Sequence, residues 1–431
     1  MAVSVTVPIR RIAMLSVHTC PLAVLGGKKT GGMNVYVREL SRELGRRGIK
    51  VDVFTRSQNP CIPPINQTLG ENARVIHIPC GPEVTLDPDQ IYPYLPEFVS
   101  NVLAFAEEEA IHYDLIYSHY WLSGVVAHEL RTAWGIPVVQ LFHTLGMMKD
   151  RIAHNPSDPA EVPVSLRTFN EIDIMSWADK LIAATPAERA QMLWLYRANR
   201  HSIEVVPPGV DLTRFKPIPA EAAKRAIWLH PDQKLLLFVG RLEPLKGIDM
   251  IFKAMAIIKS DAPQLVDNLS LAIIGGDPDP TTDDSQEMER LKALRTEMGL
   301  GELVVFLGAK DQDTLNYYYS ASEALIMPSD YESFGMVALE AMASGTPVIA
   351  SEVGGLAYLV RDGYNGYHVP VRDPQALAAK IRVILEQPET RQQLGNNARE
   401  VAQEYAWPRI ADRLLDIFAA MIPAKHVLSA Y

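Results

Sequence analysis

The sequence predicts an α/β protein of two Rossmann-like domains facing a cleft, and three observations carry that expectation. Short apolar runs alternate along the chain with longer helical patterns, as in parallel sheets layered with helices. The series is interrupted once, at Val206-Pro207-Pro208-Gly209-Val210, where a strand end meets two prolines and a glycine and makes a stiff joint. At 431 residues the chain is long enough for two or three domains with substantial cores.

The elements follow in order. An apolar run at 12–17 leads to a helical pattern from Gly32 to Arg47, stopped by Gly48, and then to a run at 51–55. Further runs at 75–78, 115–117, 137–142, 181–184 and 203–206 complete a first domain expected at 1–206. Runs at 235–239, 269–274, 304–307, 324–327 and 347–350 give a second, expected at 207–406. A last helical stretch covers 407–421, and segment 59–67 reads as a flexible loop. No internal repeat or low-complexity segment stands out.

A formal charge of -10 argues against general binding to nucleic acid or anionic membranes, while permitting a local basic pocket for phosphates. Cys20, Cys61 and Cys80 have no metal-ligand spacing and cannot all pair, which points to a reducing compartment; the cytoplasm is expected. No apolar run reaches the length of a membrane span, and no signal-peptide core precedes the first strand. Peripheral membrane contact and homo-oligomerisation are left open.

The most informative stretch is Glu332-Ser-Phe-Gly-Met-Val-Ala-Leu-Glu340, two carboxylates eight residues apart around a glycine. The apolar run before it reads as a buried parallel strand, so the motif opens on a strand-to-helix turn. Amides of Phe334, Gly335 and Met336 then become free donors at a helix N-terminus, a place for anionic oxygen. Glu332 stands at the mouth of the turn, and Glu340 is expected on the same helix face, so that both accept hydroxyls of one elongated ligand. Either acid alone would read as a solvated helix glutamate; the glycine turn and the strand argue otherwise. A second motif, Gly240-Arg241-Leu-Glu-Pro-Leu-Lys246-Gly247, follows another apolar strand. Arginine's fork and lysine's mobile charge together suit a diphosphate, although each alone is an ordinary loop charge.

Other patterns carry less. Gly26-Gly-Lys-Lys-Thr-Gly31 departs from the P-loop pattern, with Lys29 where Ser or Thr is needed. Asp87-Pro-Asp89 and Asp277-Pro-Asp279 spell a metal-binding pattern, but two acids around proline more often make a turn. His18, His119 and His143 each follow a strand-like run, where α/β sites are built.

With Glu332-x7-Glu340 and Gly-Arg-x4-Lys-Gly in hand, the chain resembles the retaining nucleotide-sugar glycosyltransferases of family 4, which have the GT-B fold. The resemblance covers nearly the whole chain. Gly31-Gly32-Met33-Asn34-Val35-Tyr36, Ser118-His119-Tyr120-Trp121-Leu122-Ser123-Gly124 and Phe142-His143-Thr144-Leu145 resemble the subgroup of inositol-phosphate glycosyltransferases and sucrose-phosphate synthases. The resemblance implies hexosyl transfer from a UDP- or ADP-sugar co-substrate, with no cofactor or metal, and a C-terminal helix at 407–425 crossing back to the first domain. His143, Arg241, Lys246 and Glu332 would be catalytic. Gly31, Gly32, Gly240, Arg241, Lys246, Lys310, Glu332, Phe334, Gly335, Met336 and Glu340 would hold the donor. Met33, Asn34, Tyr120, Thr144, Lys149 and Arg167 would hold a small polar acceptor.

One departure bears on the acceptor. Related enzymes carry a lysine in the segment matching Leu86-Asp-Pro-Asp89, where this chain has Pro88. Losing one cation from a phosphate pocket costs about 1.5 to 3 kcal/mol. Three acceptor readings therefore stand: inositol phosphate, fructose 6-phosphate (suggested by Tyr92-Pro-Tyr94-Leu95), and an unphosphorylated acceptor. A nucleotide-sugar epimerase or hydrolase, or a silent sugar-binding relative, is the alternative from another class.

Overall fold

A computed structural model describes residues 9–23, 31–148, 150, 165–276 and 283–422, without the side chains of 283–285. The chain divides into two compact units. One takes Met33–Pro207 together with the first strand and the last helix, and the other takes Gly31, Gly32 and Pro208–Ala406.

The first unit is a sheet of β1 (Arg11–Leu15), β2 (Lys50–Arg56), β3 (Ile65–Gly70), β4 (Ala73–Ile78), β5 (Leu115–His119), β6 (Val138–Leu141), β7 (Lys180–Ala183) and β8 (Ile203–Val205), in the order β3-β4-β2-β1-β5-β6-β7-β8. Every neighbouring pair is parallel except β3 with β4. Ile12 lies between Val51 and Leu115, and Ile12, Ala13, Met14 and Leu15 are fully buried, as a central parallel strand covered on both faces requires. Trp121, Phe54, Phe98 and Phe142 belong to the core of this unit. The helix Trp407–Met421 adds to it by burying Trp407, Ile410, Ala411, Leu414 and Phe418, one stripe at helical spacing. Phe418 meets Tyr117 edge-on at 5.3 Å, and Arg413 donates to the Val205 carbonyl at 2.7 Å.

The second unit is an all-parallel sheet of β9 (Lys234–Val239), β10 (Leu269–Ile274), β11 (Val304–Gly308), β12 (Ala324–Met327), β13 (Val348–Ser351) and β14 (Gly366–Val369), ordered β11-β10-β9-β12-β13-β14. Both units are thus parallel-sheet α/β domains.

The strand orders locate the sites. In the first sheet the direction of winding reverses between β1 and β5, and in the second between β9 and β12. Ligands of such sheets bind outside the carboxyl ends of strands at these reversals. The segments that follow β1, β5, β9 and β12 carry Gly31–Asn34, Tyr120, Arg241–Gly247 and Glu332–Gly335 respectively.

Two elements differ from expectation. Residues 65–67, placed in a flexible loop by their sequence, start the antiparallel edge strand β3, which exposes Gln67 and Thr68 to solvent. The strand β14 is Gly-Tyr-His-Val, too short and mixed to show an apolar run.

Candidate functional site

In the second unit the two motif loops are locked to each other by backbone. Asp330 N–H donates to the Leu245 carbonyl at 2.8 Å, and a Cβ on Gly247 would lie 2.2 Å from the Pro328 carbonyl oxygen. Gly247 also has φ +66°, so glycine meets both the steric and the conformational need. This approach brings Lys246 Nζ to 2.7 Å from Glu332 Oε2, with both side chains largely buried. Arg241 is more open and pairs with Glu243 at 2.5 Å.

Glu332 is held from behind, since Gly355 N–H donates to its carbonyl at 3.0 Å. Gly335, at φ +102°, caps the helix Met336–Ala343, whose first-turn amides have no partners within the helix. Phe334 is buried, while Met336 is partly exposed. Glu340 lies within the helix and is buried, accepting from Gln312 Nε2 at 2.9 Å and Tyr319 Oη at 3.0 Å. Gly240 and Lys310, which follow β9 and β11, are partly exposed.

In the first unit the acceptor candidates gather around Arg167. Its side chain donates to Tyr120 Oη at 3.2 Å and to Thr144 Oγ1 at 3.0 Å, bonds the Thr144 carbonyl, and lies 4.8 Å over the Tyr120 ring. Its Nε donates at 2.7 Å to Glu171, a fully buried carboxylate. Burial works against the guanidinium charge, but Glu171 more than offsets it and the pKa of Arg167 is raised. Glu171 in turn accepts from the Gly146 amide at 2.9 Å and from Tyr196 Oη at 2.5 Å. This second layer was missed from the sequence. The Arg167/Glu171 spacing of one helical turn was its only local signal, and Tyr196 gave none.

His143 has a left-handed backbone, φ +63°, and its Nε2 lies 3.0 Å from Nδ1 of the fully buried His119. Tyr36 packs edge-on against His143, His119 and Trp407, with centroids at 5.2, 5.5 and 5.4 Å. Burial first, then His18, pushes the His143 pKa down to about 3; burial and His143 lower that of His119. Both rings are therefore neutral near pH 7, suited to donating or accepting a hydrogen bond rather than carrying charge. Asn34 is buried, donating to Thr19 Oγ1 at 2.6 Å and to the Cys20 carbonyl at 2.8 Å, whereas Met33 is partly exposed and Gly31 and Gly32 lead into the helix Gly32–Arg46.

Asp87 caps a short helix, Pro88–Ile91, its amide accepted by Gln90 Oε1 at 2.9 Å, so Asp87-Pro-Asp89 is a helix start. Lys149, Gly26–Lys29 and Asp277–Asp279 lie outside the described residues. Among the described residues, no group of three or more His, Cys, Asp or Glu is arranged to hold a metal, and no helix is long and apolar enough to cross a membrane.

Comparison with known proteins adds independent findings. A family model described as Glycosyltransferase Family 4 matches residues 30–214, and one described as Glycosyl transferases group 1 matches residues 220–401. The chain is 38% identical over 432 residues to a D-inositol 3-phosphate glycosyltransferase of Thermomonospora curvata, covering 99% of this chain and 98% of that protein. It is similar to the solved sucrose-phosphate synthase from Thermosynechococcus elongatus, with a TM-score of 0.85 and 35% identity over 95% of this chain and 98% of that one. Anabaena HepE in complex with UDP and glucose has a TM-score of 0.71 at 20% identity, covering 95% of this chain and 99% of that one, a likeness of fold.

Proposed function

Since the chain belongs to glycosyltransferase family 4 and has the GT-B fold, we propose that it moves a hexosyl group, glucose or N-acetylglucosamine, from a UDP-sugar to a hydroxyl of an inositol phosphate. The observation that carries the acceptor half of this reading is Arg167, a cation held charged by buried Glu171 with Thr144 and Tyr120 around it. A guanidinium so placed suits a phosphate monoester, to which it offers its charge and its remaining N–H. The name of the Thermomonospora relative supports inositol phosphate in particular.

The donor half rests on Arg241, Lys246 and the amides at the start of the helix Met336–Ala343. On cleavage of the sugar–phosphate bond, negative charge grows on the diphosphate, and cations and amides fixed before the reaction stabilise it without reorganising. The proximity of Lys246 to Glu332 fits a division of labour: the ammonium turns to the diphosphate, and the carboxylate is freed for sugar hydroxyls. His143, neutral, would hydrogen-bond the sugar near its 6-position, and Glu340 would serve the ribose. The anomeric configuration would be retained, with the leaving phosphate taking the proton of the attacking hydroxyl on the same face, so no protein nucleophile, metal or cofactor is required.

Transfer to fructose 6-phosphate is the second reading, favoured by 35% identity to a sucrose-phosphate synthase. Purified protein incubated with UDP- and ADP-sugars against inositol 3-phosphate, fructose 6-phosphate, inositol and fructose, with products identified by mass spectrometry, separates the readings. A glycosyl-inositol phosphate is expected. Product from unphosphorylated acceptors alone would overturn the role of Arg167 and make Pro88 the mark of a changed substrate. Donor isomerisation with no acceptor consumed would overturn transfer.

A further inference from the structure

The second unit contains a cavity of about 520 Å³ whose wall includes Gly247, Asp249, Lys253, Arg290, Asp330 and Arg372. None of these belongs to the donor set proposed above. Three cations, Lys253, Arg290 and Arg372, line one space, each beside a carboxylate.

The cations are arranged but not used up. Arg372 bonds only one oxygen of Asp330, its Nε and one terminal nitrogen reaching Oδ2 at 3.0 and 2.6 Å. Lys253 meets Asp249 at 3.2 Å. Arg290 is fixed by Glu287 through Nε and one terminal nitrogen, at 2.7 and 2.6 Å, which leaves further guanidinium donors over. All three side chains are at least 40% exposed and so accessible to a solute.

Asp330 supplies the independent observation. Its side chain is nine-tenths buried, yet Oδ1 has no hydrogen-bond partner. A buried carboxylate oxygen calls for a donor. A ligand that fills this cavity must therefore bring hydroxyl protons to Asp330 as well as anionic oxygens to Lys253, Arg290 and Arg372. We infer that the cavity is a second binding site of this unit, for a small phosphate monoester carrying hydroxyl groups, such as a sugar phosphate.

The experiment is isothermal titration calorimetry of the full chain, without nucleotide sugar, against ribose 5-phosphate, inorganic phosphate and ribose. Ribose 5-phosphate is expected to bind more tightly than either part alone. Its affinity should fall at least tenfold in the double variant Lys253→Gln/Arg290→Gln, and separately in Arg372→Gln, while remaining near wild type in Arg167→Lys. Each replacement also takes a cation from a buried carboxylate, Asp330 or Glu287, so melting temperatures without ligand are compared, and either variant gives the reading should the other fail to fold. No binding to the wild type, or equal binding to the cavity variants, overturns the inference. So does binding that Arg167→Lys alone abolishes, which would belong to the acceptor pocket. Because the readout is binding, failure of the transferase reading leaves the test intact.

Discussion

Lys246 Nζ lies 2.7 Å from Glu332 Oε2, joining residues 86 positions apart through two loops that leave adjacent parallel strands. If the ammonium stabilises a leaving diphosphate, Lys246→Ala should lower kcat by about a hundredfold, on the order of 3 kcal/mol, with the fold retained. Glu332→Gln keeps a hydrogen-bonding side chain but removes the counter-charge, and should cost less. Steady-state kinetics beside circular dichroism checks both; near-normal turnover of a folded Lys246→Ala protein would remove Lys246 from the mechanism.

The second prediction tests the backbone behind Glu332. Gly354 has φ +47°, and a Cβ there would sit 1.8 Å from the Glu332 carbonyl oxygen. The obstacle is backbone, so it cannot swing aside. Gly354→Ala should destabilise by roughly 1–3 kcal/mol and, by displacing Glu332, lower turnover more than its stability loss explains. A denaturation midpoint and kcat equal to wild type would show that the loop yields freely.

How much of this was legible beforehand depends on the range of the physics involved. Central strands such as β1 and β9 are buried on both faces and so appear as continuous apolar runs. The edge strand β3 has one partner and exposes Gln67 and Thr68, so Ile65, Asn66 and Gln67 looked like loop. At the site, residue types and strand ends pointed to Arg241, Lys246 and Glu332, while Arg167 came from the family resemblance. The pairing of Lys246 with Glu332 and the support of Arg167 by Tyr196 depend on chain crossings that no local pattern encodes.

A third prediction concerns the layer beneath Arg167. Glu171 is fully buried and satisfies Arg167, Tyr196 and the Gly146 amide together. Glu171→Ala leaves a buried guanidinium without its counter-charge, at a cost of about 3–5 kcal/mol. Arg167→Lys keeps the charge and loses the fork, so it should be far milder on stability while raising KM for a phosphorylated acceptor about tenfold with little change in kcat. Urea unfolding and acceptor titrations distinguish the two, and an unchanged KM in Arg167→Lys would argue that the phosphate binds elsewhere.

The last prediction follows from the neutral pair His119 and His143. Both pKa values are lowered in the fold, that of His143 to about 3, whereas an unfolded histidine titrates near 6.5. Below pH ~6.5 the unfolded chain therefore binds more protons than the folded one. The stability associated with keeping these rings neutral is complete above that pH and is lost as pH falls toward the folded values. Each of these histidines contributes a slope of up to about 1.4 kcal/mol per pH unit in this window. Replacing His119 by Gln removes one titrating group, so the stability gap between wild type and His119→Gln should narrow as pH is lowered from 6 to 4.5. Comparing the two proteins cancels the carboxylates that titrate in the same range. A gap that stays constant across the window would mean that His119 protonates as readily in the fold as in the unfolded chain.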